Sequence, residues 1–274
     1  MATPKGCVLI TGCSSGIGRA LVEEFVRRGR RVVATARRIK SIADLEGPLC
    51  RLAPLDVTDD AQIQAAVSLA EQSSNGLGFV INNAGWGLMG PTAELDPEDL
   101  RRQFEINVIG AAAVCRAAVP LMARRQSGVI ANVGSISGET TTPFAGGYCA
   151  SKAALHSLTD ALRMELRLLG IRVVSIQPGA IASRFGDTAS DGLERYADDE
   201  SLYRAFADTI QRRAKISQQD AMPAERFAAA VVDRLLRPEP PAVIRVGPHS
   251  TTLPLIGRLP TWLRDRILAR KFGL

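Results

Sequence analysis

The chain has few of the residues that metal and disulfide chemistry require. Its two histidines, His156 and His249, are far apart in sequence, which argues against a histidine-built metal site. The five cysteines (Cys7, Cys13, Cys50, Cys115 and Cys149) form an odd set without CxxC or metal-ligand spacing. They read as reduced thiols of a cytoplasmic protein. No run approaches the roughly 18 apolar residues of a membrane span. Met1 to Lys5 is too short and polar for a signal peptide. There is no long low-complexity linker and no internal repeat of about 20–50 residues.

What is present is globular: 274 residues, 46% hydrophobic and 23% charged. The net charge of +6 comes from two stretches. Arg27, Arg28, Arg30, Arg31, Arg37, Arg38 and Lys40 form one. Arg258, Arg264, Arg266, Arg270 and Lys271 form the other, opposed only by Asp265. Neither carries interleaved aromatics or a nucleic-acid-binding motif, so no nucleic-acid partner is expected.

Strand and helix patterns alternate. Cys7 to Ile10 reads as a buried strand that runs into Thr11-Gly12-Cys13-Ser14-Ser15-Gly16-Ile17-Gly18. Ile17, Leu21 and Phe25, with Ala20, then recur at helical spacing up to Gly29. Strand, glycine-rich turn and helix together are the context for phosphate binding, because backbone approaches the pyrophosphate and the helix N-terminus offers free N–H donors. Arg31 to Thr35 reads as the second strand. An acidic residue at its end would select NAD by accepting from the ribose 2′-hydroxyl; Ala36 and Arg37 stand there instead. An arginine suits a 2′-phosphate, so the pattern favours NADP(H) over the reading of Arg37 as merely an exposed base.

Further strands are predicted over Leu49–Leu55, Gly78–Ile81, Gly128–Val133, Ile171–Ile176 and Ala242–Val246. Thr58 is expected to cap the next helix. Asp56, at a strand's carboxyl end, suits either an adenine contact or a turn. Asn82-Asn83-Ala84-Gly85 offers small and amide residues that tie loops together. Asp96-Pro97 starts a helix expected to run to about Arg125, with Asn107 inside it; an interior amide bonds backbone or faces solvent. Tyr148 and Lys152 share a face of a helix that ends at Gly170. The ammonium is expected to favour the phenolate and bring the phenol closer to neutral pH. Ser183 to Glu200 has no apolar period and reads as a mobile loop beside the substrate. Leu202, Phe206 and Ile210 mark one later helix, and Phe227, Val231 and Leu235 another.

Taken together, Thr-Gly-x-x-x-Gly-x-Gly, Asn-Asn-Ala-Gly, the helix asparagine, the strand-end Ser135, Tyr-x-x-x-Lys and Pro178-Gly179 resemble the short-chain dehydrogenase/reductase family over about residues 5–246. The resemblance implies a doubly wound, Rossmann-like α/β fold with a seven-stranded parallel sheet and helices on both faces. It implies hydride transfer with a nicotinamide cofactor. Tyr148 would be the acid/base, Lys152 would lower its pKa and hold the nicotinamide ribose, Ser135 would hold the substrate oxygen, and Asn107 would anchor a relay water. Gly12, Ser15, Gly16, Ile17, Gly18, Arg37, Asp56, Asn83, Gly85, Tyr148, Lys152, Pro178, Ile181 and Ser183 would line the cofactor. Two positions depart from the family: Ser183 replaces a usual threonine, and Gly134 a common serine.

Arg37, Gly85-Trp86-Gly87 and the basic C-terminus most resemble the 17β-hydroxysteroid dehydrogenase-like branch. Its members act on steroids, retinoids or acyl-glycerone phosphates, so an apolar alcohol or ketone is the implied substrate. The resemblance also implies a homodimer or homotetramer joined through the helices at 97–125 and 148–169. A non-catalytic dinucleotide-sensing module, and an epimerase or dehydratase using the cofactor transiently, are the rival readings. One domain is expected over residues 1–250, followed by a basic amphipathic extension over 251–274. Leu259, Leu263, Ile267 and Leu268 share a face in that extension. It would rest on an anionic membrane, or pack over the substrate pocket or a neighbouring subunit.

Overall fold

The computed structural model describes residues 3–274, with the side chains of 187 and 217 left aside. Seven strands, β1 (Cys7–Ile10), β2 (Val32–Ala36), β3 (Cys50–Pro54), β4 (Leu77–Asn82), β5 (Gly128–Val133), β6 (Ile171–Pro178) and β7 (Val243–Val246), form one sheet. Its order is β3-β2-β1-β4-β5-β6-β7, and every pairing is parallel. The Rossmann-like, doubly wound expectation holds. Chain direction across the sheet reverses between β1 and β4, which opens a crevice at the strands' carboxyl ends.

Both faces of the sheet are covered, because alternate strand residues point to opposite sides. Val8, Ile10, Phe79, Ile81, Val129 and Ala131 pack beneath α1 (Gly16–Arg27) and a later helix over Ala224–Leu235, through Leu21, Phe25, Phe227, Val231 and Leu235. Leu9, Val33, Val80 and Ile130 pack on the other face against α2 (Asp60–Glu71) and a helix over Gly110–Arg124, through Ile63, Val67, Val114, Ala118 and Met122.

Several local expectations change. Asp59, not Thr58, caps α2: its carboxylate accepts from the Ala61 and Gln62 amides, while Thr58 turns its hydroxyl to Asp56. The helix begun by Asp96-Pro97 is not regular. It runs as α3 (Pro97–Phe104), a π-helical turn over Glu105–Ile109, then α4 (Gly110–Arg124). The extra residue of a π turn re-aims one side chain, a device common at functional sites. Here it turns Asn107 inward. As a whole, Pro97–Arg124 is long and apolar enough to cross a membrane. A search for consecutive apolar residues misses this because Asn107 and Arg116 interrupt the run. One side of it packs on α2 and β4.

The Tyr148 helix, α5, spans Gly146–Leu166, tightens through Arg167–Leu169 and stops at Gly170, φ +71°. Residues 183–200 are not an irregular loop. They form α6 (Phe185–Ala189) and a 3₁₀ turn over Leu193–Ala197. Tyr196, Leu193 and Ala189 are buried with Met89, Phe144, Tyr148 and Ile210 in a third core. Three anchors spaced among polar residues give no period to read. Glu94 ties down the far end, accepting from the Ser201 hydroxyl at 2.7 Å and the Leu202 amide at 2.8 Å. Leu202 itself is exposed, and the helix expected from it begins at Ala207 as α7 (Ala207–Lys215). The helix over Ala224–Leu235 is α8.

The C-terminal stretch folds into α9 (Thr252–Gly257) and α10 (Thr261–Phe272). It packs over the mouth of the crevice. The Thr140 hydroxyl donates to the Leu253 carbonyl at 2.9 Å, Leu268 is buried, and the Phe272 ring lies 5.4 Å from the Arg213 guanidinium. Thr252, Leu253, Ile256, Lys271 and Phe272 of this stretch line the cleft.

Candidate active site

The crevice is a cleft of about 1430 Å³. That exceeds a single drug-sized pocket and leaves room for a dinucleotide beside a second ligand. Its wall includes Gly12, Ser15, Gly16, Ile17, Gly18, Arg37, Asp56, Asn83, Gly85, Ser135, Tyr148, Lys152, Pro178, Ile181 and Ser183. The structure therefore brings together residues 171 positions apart along the chain, all of them picked out by the sequence motifs.

At one end the glycine-rich turn joins β1 to α1. Ser15 sits at the N-cap with extended backbone, yet its side chain makes no capping bond, so the first-turn N–H groups face the cleft without a side-chain acceptor. Gly18 lies so close to the Gly12 carbonyl and the Asn83 amide that a Cβ would overlap both. Asn83 laces this turn to the end of β4: its Nδ2 donates to the Thr11 and Gly12 carbonyls at 2.9 and 3.0 Å, and Thr11 Oγ1 accepts from the Asn83 and Ala84 amides. Ala36 is the last residue of β2, with exposed Arg37 and Arg38 beyond it. Ser41, whose hydroxyl donates to the Arg38 carbonyl at 2.6 Å, joins them in the cleft wall. No acid stands at that strand end. Unsatisfied N–H groups, a glycine cradle and two cations fit a dinucleotide carrying a 2′-phosphate.

The chemical end is built by β5 and α5. Ser135 follows β5, and its Oγ accepts from the Ser137 amide at 3.1 Å. Tyr148 and Lys152 are both buried. Lys152 Nζ donates to the Val133 carbonyl at 2.8 Å and lies 5.9 Å from the Tyr148 ring centre. Burial pushes the Tyr148 phenol up to about 12, with Ser135 and Arg213 pulling the other way. Burial also brings Lys152 down to about 8. The expectation of a lowered phenol is therefore corrected for the protein alone. Desolvation disfavours both the phenolate and the ammonium, and it is the largest cause at each.

Asn107 is the one predicted catalytic residue that does not reach the cleft wall. Its Oδ1 accepts from the Trp86 amide at 2.8 Å. Its Nδ2 donates to the Trp86 carbonyl at 2.9 Å and to Ser151 Oγ at 3.1 Å. Of the two options for an interior amide, it takes the backbone bond and fixes the turn after β4. Asp56 lines the cleft, and its carboxylate accepts from the Thr58 amide at 3.0 Å, which is the turn role.

The glycine at 134 has a steric reason. A Cβ there would fall inside the His156 imidazole, whose Nε2 accepts from the Ser135 amide at 3.4 Å. His156 is half-buried and pushed down to about 4, chiefly by desolvation. It backs the Ser135 turn as a neutral acceptor. No period or motif points to His156 or to Phe185. The Phe185 ring sits 5.1 Å from the Tyr148 ring, in space that a side chain at Gly87 would occupy. Arg213 also reaches the cleft from α7, unannounced by any motif.

Comparison with known proteins agrees with this geometry. The profile of the short chain dehydrogenase family matches residues 6–193. A short-chain dehydrogenase, ptmH, of Penicillium ochrochloron is 35% identical over 271 residues, which is 97% of this chain and 98% of that one. A 3-ketodihydrosphingosine reductase of Bacteroides thetaiotaomicron is 29% identical, covering 95% and 94%. A short chain dehydrogenase of Burkholderia cenocepacia J2315, solved in complex with NADP, superposes with a TM-score of 0.76 at 25% identity over 98% and 99% of the two chains. The chain belongs to the short-chain dehydrogenase family and is a nicotinamide-dependent oxidoreductase acting on CH–OH groups.

Proposed function

We propose that this protein is an NADP(H)-dependent enzyme that interconverts an apolar alcohol with its ketone or aldehyde, using Tyr148 as the acid/base. The observation that carries the proposal is the placement of Ser135, Tyr148 and Lys152 in the same cleft as the glycine-rich turn. Bound NADP(H) supplies or accepts the hydride. In the reducing direction the buried phenol, neutral at ordinary pH, donates its proton to the substrate oxygen while the Ser135 hydroxyl holds that oxygen. Lys152 donates one bond to the Val133 carbonyl, and its remaining donors would hold a ribose hydroxyl of the cofactor. Arg37, Arg38 and Ser41 receive the 2′-phosphate. The complex of the Burkholderia cenocepacia relative with NADP supports this cofactor.

The apolar substrate is supported by Trp86, Leu88, Met89, Phe185, Leu253 and Ile256 in the cleft wall, and by the lipid-related name of the Bacteroides thetaiotaomicron relative. We place the chain beside the 17β-hydroxysteroid dehydrogenase-like branch on Arg37, Gly85-Trp86-Gly87 and the basic C-terminus. Two chains or four would join through α4 and α5, whose neighbourhood exposes Ile109, Met164, Leu168 and Leu169. The five free thiols suit a reducing cytoplasm. The test is stoichiometric NADPH consumption with uncharged long-chain ketones and aldehydes. Tight cofactor binding with no turnover of any carbonyl or alcohol would favour the sensing module.

A further inference from the structure

Arg213 is a second cation buried at the cleft, and nothing in the chemistry above employs it. It is 6% exposed on α7. Its Nε and Nη2 both donate to Thr142 Oγ1, at 3.2 and 2.6 Å. The Phe272 ring of α10 covers it, 5.4 Å from Cζ. Among the described residues no aspartate or glutamate forms an ion pair with it; the titratable groups beside it are Tyr148 and Cys149. The contrast with other partly covered arginines is plain. Arg28 pairs with Glu24, Arg125 with Glu71 and Arg245 with Glu139.

A guanidinium taken out of water without a counter-ion is costly to the fold. Two neutral hydrogen bonds and one aromatic face offset part of that cost and leave the charge uncompensated. Of its five N–H donors, Thr142 takes one on Nε and one on Nη2. That leaves both donors on Nη1 and one on Nη2, the edge that binds an oxyanion through two parallel bonds. Arg213 lines the same cleft as Tyr148 and Ser135.

We propose that Arg213 receives a single anionic group, a carboxylate or a phosphate, at one end of an otherwise apolar substrate whose reacting carbon is held at Tyr148. The inference rests on the oxidoreductase reading and narrows its substrate from apolar to amphipathic. Thr142 orients the guanidinium, and α10 excludes water from it through Phe272.

The test is equilibrium binding, which needs no turnover. The full chain, with and without NADPH, is titrated calorimetrically with octanoate, octyl phosphate and methyl octanoate. None of the three has a ketone or aldehyde to reduce. At least one anion is expected to bind about tenfold tighter than the ester, which corresponds to a single charged hydrogen-bonded contact. The tighter of the two identifies carboxylate or phosphate. Arg213→Leu is expected to remove the preference, and Arg213→Lys, which keeps the charge, to retain part of it. Should Arg213→Leu fail to fold, the wild-type ratio and Arg213→Lys still decide. Equal affinity of wild type for both anions and the ester overturns the proposal and leaves Arg213 as the pin that holds Phe272 and α10 in place. A chain that shows the anion preference yet never oxidises NADPH with any carbonyl contradicts the enzyme reading instead, so the two failures are distinct.

Discussion

The Lys152 ammonium donates to the Val133 carbonyl at 2.8 Å, tying the second turn of α5 to the last residue of β5. Ser135 lies two residues past that carbonyl, and Tyr148 one helical turn before that lysine. One bond thus sets the acid/base against the group that holds its substrate oxygen.

The same lysine gives a pH signature. With its pKa brought down to about 8, the ammonium is intact below that value and is lost as pH rises through it. Tyr148, pushed up to about 12, stays protonated over the whole range. The kcat/KM for carbonyl reduction is expected to be level from pH 6 to 7 and to fall through about 8, with no further limb below pH 10. A profile flat through pH 9 would contradict this assignment of Lys152.

Cofactor choice should follow Arg37 and Arg38. Removing a guanidinium that meets a phosphate costs about 1.5–3 kcal/mol. Arg37→Ala is therefore expected to weaken NADPH roughly tenfold or more and to leave NADH unchanged. Ala36→Asp should reverse the preference by accepting from the ribose hydroxyl. Fluorescence titration with both cofactors checks each variant.

Gly134 and His156 are coupled by packing. Gly134→Ser drives its Cβ into the imidazole and is expected to cost about 1–3 kcal/mol of stability, as overpacking does. Adding His156→Ala to it should recover part of that loss. Denaturant midpoints of the two single variants and the double variant measure the coupling, and strict additivity would show that the ring is not what forbids a side chain at 134.

His156 also makes the fold acid-sensitive. Glu139, Asp160, Lys152 and Arg245 surround it, and desolvation leaves it neutral, with its pKa lowered to about 4. The unfolded chain binds this proton first, so stability is complete above about 6.5 and is lost as pH falls toward 4. Linkage puts this loss at about 2 kcal/mol between pH 7 and 5. His156→Gln should reduce the drop seen by denaturation at the two pH values. An unchanged drop would assign the acid sensitivity to other groups.

Much of this site could be read in the chain because its parts are local. The turn after β1, the Tyr148–Lys152 spacing and the strand-end Ser135 each occupy a few consecutive residues with a chemical reason for their order. What escaped depends on contacts between distant segments. The π turn that re-aims Asn107 is held by bonds to Trp86 and Ser151, on segments distant in the chain. Residues 183–200 hold together through Tyr196 and Leu193, whose partners lie on α5 and α7, so no periodicity announces them. Arg213 and Phe272 are unremarkable on their own helices and become informative only when α7 and α10 meet over the cleft. The phenol's pKa ran against expectation for a related reason: spacing fixes which charges are neighbours, whereas burial is set by the whole fold.

The most direct measurement pairs cofactor titration with turnover in wild type and Tyr148→Phe. Both proteins are expected to bind NADPH equally well and more tightly than NADH. Only wild type should oxidise NADPH with an apolar ketone, the variant losing about 10²–10⁴-fold in kcat. Undiminished turnover by Tyr148→Phe would contradict the account at its centre, because the proton would then come from some other group.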